Sequence, residues 1–237
     1  MKEILVIRNA VVRRGASDAG FALRIPEFRL LRGEFVAILG PSGCGKSTLL
    51  DTLGLVLRPE FAEEFLFQHG DEAPMVSLHR EPEASLSKLR RRHFGYVLQS
   101  GGLIPSLSVE QNIRTALAFS DRRTDPARLS DLLRALGISS LLHRKPSQLS
   151  GGQRQRVAIA RALAHEPSLV LADEPTAAVD LALAAEVCTA LRDRARESGC
   201  AVAMVTHNPE LANSFADRVL DLSKWADLRQ AEDPYPQ

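Results

Sequence analysis

One short segment of the chain restricts the fold more than any other. The apolar run FVAIL at residues 35–39 leads into the loop GPSGCGKST, and the helix-forming residues LLD follow at 49–51. Five consecutive apolar residues are typical of a strand covered on both faces, as in a parallel sheet. The loop fits the pattern G-x-x-x-x-G-K-[ST] in the strand–loop–helix context that this pattern requires. The segment therefore predicts an α/β fold built on a phosphate-binding loop.

The loop residues indicate how such a ligand would be held. Glycines let backbone N–H groups curl around phosphate oxygens, and the following helix adds the positive end of its dipole. Lys46 would reach the β- and γ-phosphates, and the Ser47 hydroxyl would bind Mg²⁺. The alternative, a glycine-rich turn with a solvated lysine, does not explain the flanking strand and helix. The predicted nucleotide-binding residues are Gly40, Pro41, Ser42, Gly43, Cys44, Gly45, Lys46, Ser47 and Thr48.

The remaining pattern predicts the rest of the α/β fold. Apolar runs at 96–98, 169–172 and 201–205 predict further parallel strands. Leucines spaced at i, i+3, i+4 and i+7 after Asp125-Pro126, a capping box at Ser108 and Gln111, and Asn208-Pro209 each predict a helix. The predicted fold class is an α/β P-loop NTPase core with a mostly parallel sheet, an N-terminal antiparallel β subdomain and an inserted α-helical subdomain.

The predicted organisation is a single domain over residues 1–237. Residues of about 1–100 and 166–225 form the core with its antiparallel subdomain, residues of about 101–165 form the helical subdomain, and 226–237 form a frayed tail. Antiparallel strands are expected up to about residue 34, with turns at 15–20 and 32–33. Residues 58–90 are poorly periodic, and no individual strand or helix is predicted there.

Composition excludes several classes of protein. The formal net charge is +1, so the total charge shows no nucleic-acid footprint. Three widely spaced cysteines favour reduced thiols over a disulfide framework. The N-terminus does not read as a signal peptide, and no apolar stretch approaches the roughly 18 residues that span a bilayer. A role at a membrane would therefore require docking to a protein that spans it.

Polar residues at the ends of the predicted strands indicate the chemistry. The run LVLADEP ends in Asp173, which would complete the Mg²⁺ shell, and Glu174, which would act as general base on water. His207 closes the strand at 201–205 at the same edge, where it would sense the γ-phosphate. Gln99 follows the strand at 96–98, where its amide would touch Mg²⁺ or the water. Each residue alone is a weak signal, and their occurrence together with the phosphate loop gives them weight.

The segment LSGGQRQR at 149–156 predicts a second anion site. Ser150 would cap a helix, and Gly151 and Gly152 would expose backbone N–H groups at its positive end. One nucleotide is already held by the loop at residues 40–48. A second phosphate site then indicates a head-to-tail dimer with C2 symmetry, in which each copy completes the other's nucleotide site. The alternative is a flexible N-terminal cap without a ligand.

In this order, the motifs resemble the nucleotide-binding domain of ABC transporters over about residues 30–220. The resemblance makes GPSGCGKST the Walker A loop, Gln99 the Q-loop glutamine and His207 the switch histidine. LSGGQRQR, with Gln153, is the signature motif, and Asp180 is the D-loop aspartate that also contacts the nucleotide. It implies an ATPase that binds ATP and Mg²⁺ and closes as an ATP-dependent homodimer. It further implies an integral membrane permease docked near residues 99–107, no nucleic acid, and a peripheral location on the cytoplasmic face of the inner membrane.

Two alternatives follow from the subgroup. The stretch LRRRHFGYVLQSGGLIPSLSVEQNI is similar to the group of lipoprotein-release, macrolide-export and cell-division ATPases, which favours export or lipoprotein extraction. The cell-division member of the group offers a different model, a transmembrane signalling ATPase that moves no cargo. A chromosome or DNA-repair ATPase is disfavoured, because no sustained heptads separate Lys46 from Ser150.

Three features depart from the family pattern. Arg13 and Arg14 stand where an aromatic residue usually stacks on adenine, so either an arginine plane would stack on the base, more weakly, or Phe21 would substitute for the aromatic residue. The D-loop lacks the usual leucine before Asp180. Residues 58–90 do not show the usual strand and glycine turn, so a rebuilt edge of the antiparallel sheet is expected.

Overall fold

The computed structural model describes residues 2–14, 21–70, 73–122, 124–177 and 179–229. Nine strands are found in this part of the chain: β1 Glu3–Arg14, β2 Phe21–Leu31, β3 Phe35–Leu39, β4 Phe61–Phe67, β5 Val76–Ser77, β6 Phe94–Val97, β7 Leu169–Asp173, β8 Ala201–Val205 and β9 Arg218–Asp221. The α-helices of the same part are α1 Lys46–Leu53, α2 Glu83–His93, α3 Val109–Ser120, α4 Pro126–Ala135, α5 Gly151–Leu163, α6 Leu181–Ser198 and α7 Pro209–Phe215. None of them has the length and hydropathy needed to cross a bilayer.

Five strands form a parallel sheet in the order β6-β7-β8-β3-β9. The four parallel strands expected from apolar runs are confirmed as β3, β6, β7 and β8. Alternate residues of these strands pack into different core clusters. Val36 and Ile38 face the antiparallel sheet, whereas Phe35 faces the cluster that contains α5 and α6. Burial on both faces explains why the runs are apolar without alternation.

The antiparallel sheet has the order β2-β1-β4-β5. Its first two strands confirm the N-terminal prediction, while the expected turn at 15–20 lies outside the described residues. Residues 58–90 contribute β4, β5 and α2, so the segment without a predicted strand or helix extends this sheet beyond β1. In β4 only Phe65 and Phe67 are buried, and the acidic residues between its apolar positions stay at the surface.

Between β6 and β7 the chain is helical. The helices there are α3, α4 and α5, and two short 3₁₀ turns, Ser139–Leu141 and Pro146–Gln148, lie between α4 and α5. The capping box predicted at Ser108 and Gln111 is confirmed at the start of α3, and Asp125 caps α4 as expected. At the other end of the chain, a 3₁₀ helix Leu222–Arg229 follows β9 and includes the first residues of the predicted tail.

The parallel order brings four loops to one edge of the sheet. The loops that follow β3, β6, β7 and β8 carry the glycine-rich segment, Gln99, Glu174 and His207 respectively. In open α/β sheets this carboxyl edge is where ligands bind. The fold therefore places residues from distant parts of the sequence at one site.

Candidate nucleotide site

The glycine-rich loop curls around the ammonium group of its own lysine. The Lys46 Nζ donates hydrogen bonds to the carbonyl oxygens of Gly40 and Pro41, both at 2.8 Å. Gly45 precedes α1 with φ 107°, a value that side chains strongly disfavour, and a Cβ there would lie 2.9 Å from the Phe21 ring. A Cβ on Gly43, in contrast, would meet no atom within 4 Å. The loop thus offers a positive group and exposed backbone on its open side, as a phosphate cradle requires.

Gln99, Glu174 and His207 converge on one carboxylate. The His207 Nε2 lies 2.6 Å from Glu174 Oε1, and the Gln99 Nε2 donates to Glu174 Oε2 at 3.5 Å. Both oxygens of Glu174 therefore have a partner on a different loop. The sequence predicts that these three residues lie at one edge of the sheet, and the structure brings them into contact. Their individual catalytic roles stay predictions.

The backbone of Glu174 is held in an unfavourable conformation. Its φ is 45°, in the left-handed region, and its N–H donates to the Val205 carbonyl at 3.0 Å. That hydrogen bond fixes Glu174 to the end of β8, two residues before His207. Strained backbone of this kind costs on the order of 1–3 kcal/mol and persists where the surrounding structure requires it. In this conformation the Glu174 carboxylate contacts His207.

Asp173 lies in an excess of negative charge. Burial raises the pKa of its carboxyl group above the ordinary value, and the nearby carboxylates of Glu174 and Asp51 raise it further, while Lys46 acts in the opposite direction. A bound cation would relieve this repulsion. The oxygens of Ser47, Gln99 and Asp173 are the hard ligands that Mg²⁺ prefers, so the residues present fit the ion. No group of three or more acidic, histidine or cysteine side chains that could hold a metal ion is found in the described ranges.

A cavity of about 400 Å³ joins the phosphate loop to the catalytic cluster. Its walls come from β1, β2, the loop and the ends of β7 and β8, and the residues are Arg14, Phe21, Ser42, Gly43, Gly45, Lys46, Ser47, Thr48, Glu174 and His207. Arg13 and Arg14 stand where the family usually places the residue that stacks on adenine. Arg14 lines this cavity, whereas Arg13 forms an ion pair with Glu60 at 2.9 Å. Phe21 lines it too, so the aromatic substitute lies in the site.

Sequence reasoning missed a polar chain beside this cavity. The Arg14 guanidinium donates to Asp51 Oδ2 at 2.8 Å, and the Tyr96 hydroxyl donates to Asp51 Oδ1 at 3.4 Å. Burial, followed by the charge of Asp51, raises the pKa of Tyr96. No local motif marks these residues, because the contacts join β1, α1 and β6. These hydrogen bonds tie the end of β1 to β6, the strand that precedes the Gln99 loop.

The Ser150 region forms the predicted cap. Ser150 Oγ accepts from the Gln153 N–H at 3.2 Å, and Gln153 Oε1 accepts from the Ser150 N–H at 3.0 Å. Gly151 is exposed, and neither it nor its neighbours Ser150 to Gln153 belong to the walls of the cavity just described. The N-terminus of α5, called the helix mouth below, therefore does not line the cavity at this chain's own phosphate loop.

The second glycine of the pair has a partner within the chain. A Cβ on Gly152 would lie 2.0 Å from Leu183 Cδ2 on α6. Gly152 therefore allows Leu183 to pack closely against α5, and the predicted binding of an anion by the N–H groups of Gly151 and Gly152 stays a prediction. Helix α6 starts at Asp180, whose carboxylate accepts from the Leu183 N–H at 2.9 Å. Asp180 acts here as a helix cap, and its contact with nucleotide stays a prediction.

Glu174 and His207 also border a second cavity. Its volume is about 360 Å³, and its other walls include Thr176, Val179 and Leu211. Glu174 and His207 therefore lie between the phosphate-loop cavity and this second cavity.

Comparison with known proteins decides the family. Residues 23–177 match the ABC transporter family. The chain belongs to this family. It is 39% identical over 227 residues to the lipoprotein-releasing system ATP-binding protein LolD of Novosphingobium aromaticivorans, covering 92% of this chain and 96% of LolD. It is also 38% identical over 224 residues to the macrolide export ATP-binding/permease protein MacB of Bartonella henselae, covering 93% of this chain.

The coverage of these relatives differs. The chain spans 32% of the length of that MacB protein and 28% of a MacB protein of Aeromonas hydrophila. Among solved structures, the ATP-binding cassette MJ0796, a dimer in a post-hydrolysis state with ADP and Pi, superimposes with a TM-score of 0.78 at 32% identity, covering 92% of this chain and 94% of MJ0796. The resemblance to ABC ATPases and the predicted fold class are confirmed.

Proposed function

We propose that this member of the ABC ATPase family binds ATP with Mg²⁺, hydrolyses it as a homodimer, and powers an integral membrane permease. The observation that carries the proposal is the meeting of Gln99, Glu174 and His207 beside the phosphate loop. Three loops that are separate in sequence orient one carboxylate next to a lysine ammonium. That arrangement suits proton removal from water near a phosphate better than simple nucleotide storage.

The residues divide the chemistry between them. Lys46 and the backbone of residues 40–48 hold the β- and γ-phosphates, and Lys46 balances their negative charge. Glu174 takes a proton from the attacking water as general base, and His207 fixes the carboxylate through the 2.6 Å contact and senses the γ-phosphate. Mg²⁺, when bound through Ser47, Asp173 and Gln99, supplies electrophilic stabilisation of the phosphates.

The dimer follows from the separation of the two anion sites. The exposed N–H groups at Gly151, together with Ser150 and Gln153, lie outside the cavity that holds the phosphate loop. A head-to-tail copy would place this helix mouth and Asp180 against its partner's γ-phosphate. The dimeric MJ0796 cassette, which resembles this chain over most of its length, supports the arrangement.

The membrane partner would contact the region near residues 99–107. Leu98 and Ile104 are large apolar side chains that are each 41% exposed there, which suits an apolar surface of a partner helix. LolD and MacB, by their names, serve lipoprotein release and macrolide export. Export or extraction of a cargo by a permease, from a position on the cytoplasmic face of the inner membrane, is accordingly the proposed role.

Steady-state hydrolysis of ATP with Mg²⁺ tests this function. The Glu174→Gln variant should lose about 10²–10⁴-fold in kcat, because the amide cannot accept the proton of the attacking water. Glu197→Gln, a matched change on the exposed face of α6, should hydrolyse at the wild-type rate. Phosphate release by Glu174→Gln at the rate of the Glu197→Gln control would remove the general-base assignment.

A further inference from the structure

The turn that carries Gln99 is closed by its neighbours. The Gly101 N–H donates to the Leu98 carbonyl at 2.9 Å, so Gln99 and Ser100 occupy the two central positions of a tight turn. Gly101 and Gly102 both adopt left-handed backbone, with φ of 73° and 57°. Two successive residues of this kind strongly favour glycine. The loop is thus shaped so that its carbonyl groups point away from the turn.

An arginine of α5 holds these carbonyls. Arg161 donates from Nη1 to the Gly102 oxygen at 2.6 Å and from Nη2 to the Gly101 oxygen at 3.0 Å. Burial lowers the pKa of Arg161, and no neighbouring charge offsets that effect in the part of the chain that is described. A desolvated guanidinium makes its strongest hydrogen bonds to acceptors that its planar fork can reach together. The two carbonyls are such acceptors.

The same helix begins at the glycine pair. Arg161 lies ten residues after Gly151, which is about 15 Å along a rigid helix. A Cβ on Gly101 would lie 3.6 Å from Ala158 Cβ, so the turn also packs against α5 one helical turn before Arg161. Any displacement of the helix mouth would therefore move the turn with it.

The far end of the loop is fixed separately. Asn112 on α3 accepts from the Ile104 N–H at 2.8 Å and donates to the Ile104 carbonyl at 3.1 Å. Residues 99–102 are attached to α5 through the two hydrogen bonds of Arg161 and the packing of Gly101 against Ala158. Gln99 in turn reaches Glu174 at 3.5 Å.

We propose that Arg161 is a positioning residue for hydrolysis, which fastens the Gln99 turn to the helix that starts at Ser150. Occupation of the helix mouth by the partner copy's nucleotide would be transmitted through Arg161 to the contact between Gln99 and Glu174. The inference rests on the proposed ATPase function and adds a residue to it that no motif marked.

The kinetic test compares Arg161→Gln and Arg161→Lys with the wild-type chain. Arg161→Gln should lower kcat about tenfold or more, while KM changes less than about threefold, because the phosphate loop is untouched. Arg161→Lys should give an intermediate kcat, since an ammonium group cannot span both carbonyls as the guanidinium fork does. Arg122→Gln is the matched control, because Arg122 also donates to two carbonyls, those of Glu166 and Arg92, away from this turn.

A double-mutant cycle separates positioning from general destabilisation. If Arg161 acts through Gln99, the Gln99→Ala/Arg161→Gln double variant should be no slower than Gln99→Ala alone. Multiplicative loss of kcat in the double variant would overturn the proposal, as would a kcat for Arg161→Gln equal to that of Arg122→Gln.

Hydrogen exchange provides a measurement that needs no turnover. In the full-length Arg161→Lys variant, amides of residues 98–102 should exchange faster than in the wild type, while those of β7 and β8 stay unchanged. Unchanged exchange rates at residues 98–102 would contradict the proposal that Arg161 fastens the Gln99 turn, whatever the rate of hydrolysis. If the wild-type chain does not hydrolyse ATP but the exchange result is as expected, the proposed function is contradicted. The attachment of the Gln99 turn by Arg161 is then still supported.

Discussion

Mild acid should destabilise this fold through a buried imidazole at the end of α5. His165 is 4% exposed, and its Nε2 lies 3.1 Å from the Phe94 carbonyl. Its Nδ1 is buried and finds no hydrogen-bond partner within the described ranges. Burial, as the largest cause, lowers the pKa of His165 from 6.5 to about 4, and Arg122 lowers it further, against the hydrogen bond to Phe94. Protonation would create a charged N–H donor with no acceptor.

The magnitude follows from the two pKa values. Because the folded-state pKa is depressed, the contribution to stability is present above pH 6.5 and is lost as the pH falls toward 4. Between pH 6.5 and pH 5, an interval of about 1.5 pH units, His165 is protonated in the unfolded chain but not in the folded chain. The free energy of unfolding therefore falls by about 2 kcal/mol over this interval. For a domain of this size that corresponds to roughly 4–8 °C in Tm. Burial also lowers the pKa of His93 to about 4, with smaller effects from His69 and Arg122. Acidification therefore lowers the stability of the fold through His93 as well as through His165.

Thermal unfolding at pH 7.5 and pH 5.0 measures the effect. Between pH 7.5 and pH 5.0 the Tm of the wild-type chain should fall by about 4–8 °C more than the Tm of His165→Gln. The glutamine amide can still donate to the Phe94 carbonyl but does not titrate. His143→Gln is the control, since the His143 side chain is 94% exposed, and it should keep the full wild-type loss. An acid loss in His165→Gln equal to that of the wild type would refute the reasoning.

Three further changes have expected outcomes. Phe21→Ala should weaken ATP binding on the order of tenfold by calorimetry, because the ring packs over Gly45 at the wall of the nucleotide cavity, and unchanged affinity would mean that the base lies elsewhere. Ser108→Ala should lower the free energy of unfolding in urea by about 1 kcal/mol through loss of the cap on α3, with kcat unaltered, and a large loss of kcat would contradict a purely local role. Gly95→Ala should cost about 1–3 kcal/mol, because a Cβ would lie 2.3 Å from the Ala162 carbonyl oxygen, and an unchanged Tm would show that β6 can separate from α5 freely.

The parallel sheet and the helix caps could be predicted because their signals are local. The runs at 35–39 and 201–205 are apolar on both faces, since core clusters cover each side of the sheet. Ser108, Asp125 and Ser150 each cap a helix a few residues away, so the pattern is visible without knowledge of the fold. The meeting of Glu174 with His207 followed from the order of parallel strands.

Other features depend on contacts that the sequence does not display. Strand β4 is half exposed and carries Glu63 and Glu64, and it is a strand because it pairs with β1, more than fifty residues earlier. The close approach of Leu183 to Gly152 joins two helices, so it could not be predicted from the sequence around the glycine. The hydrogen bonds of Arg161 to the Gln99 turn span about sixty residues and leave no periodic trace.

The head-to-tail dimer can be decided by the molar mass of the hydrolysis-deficient chain in the presence of nucleotide. Each copy has a mass of 25.9 kDa. Light scattering after size exclusion of Glu174→Gln, saturated with ATP and Mg²⁺, should show twice that mass, because the mouth of α5 in one copy completes the site of the other. The same preparation without nucleotide should contain less dimer. A single-copy mass at saturating ATP and Mg²⁺ would contradict the account.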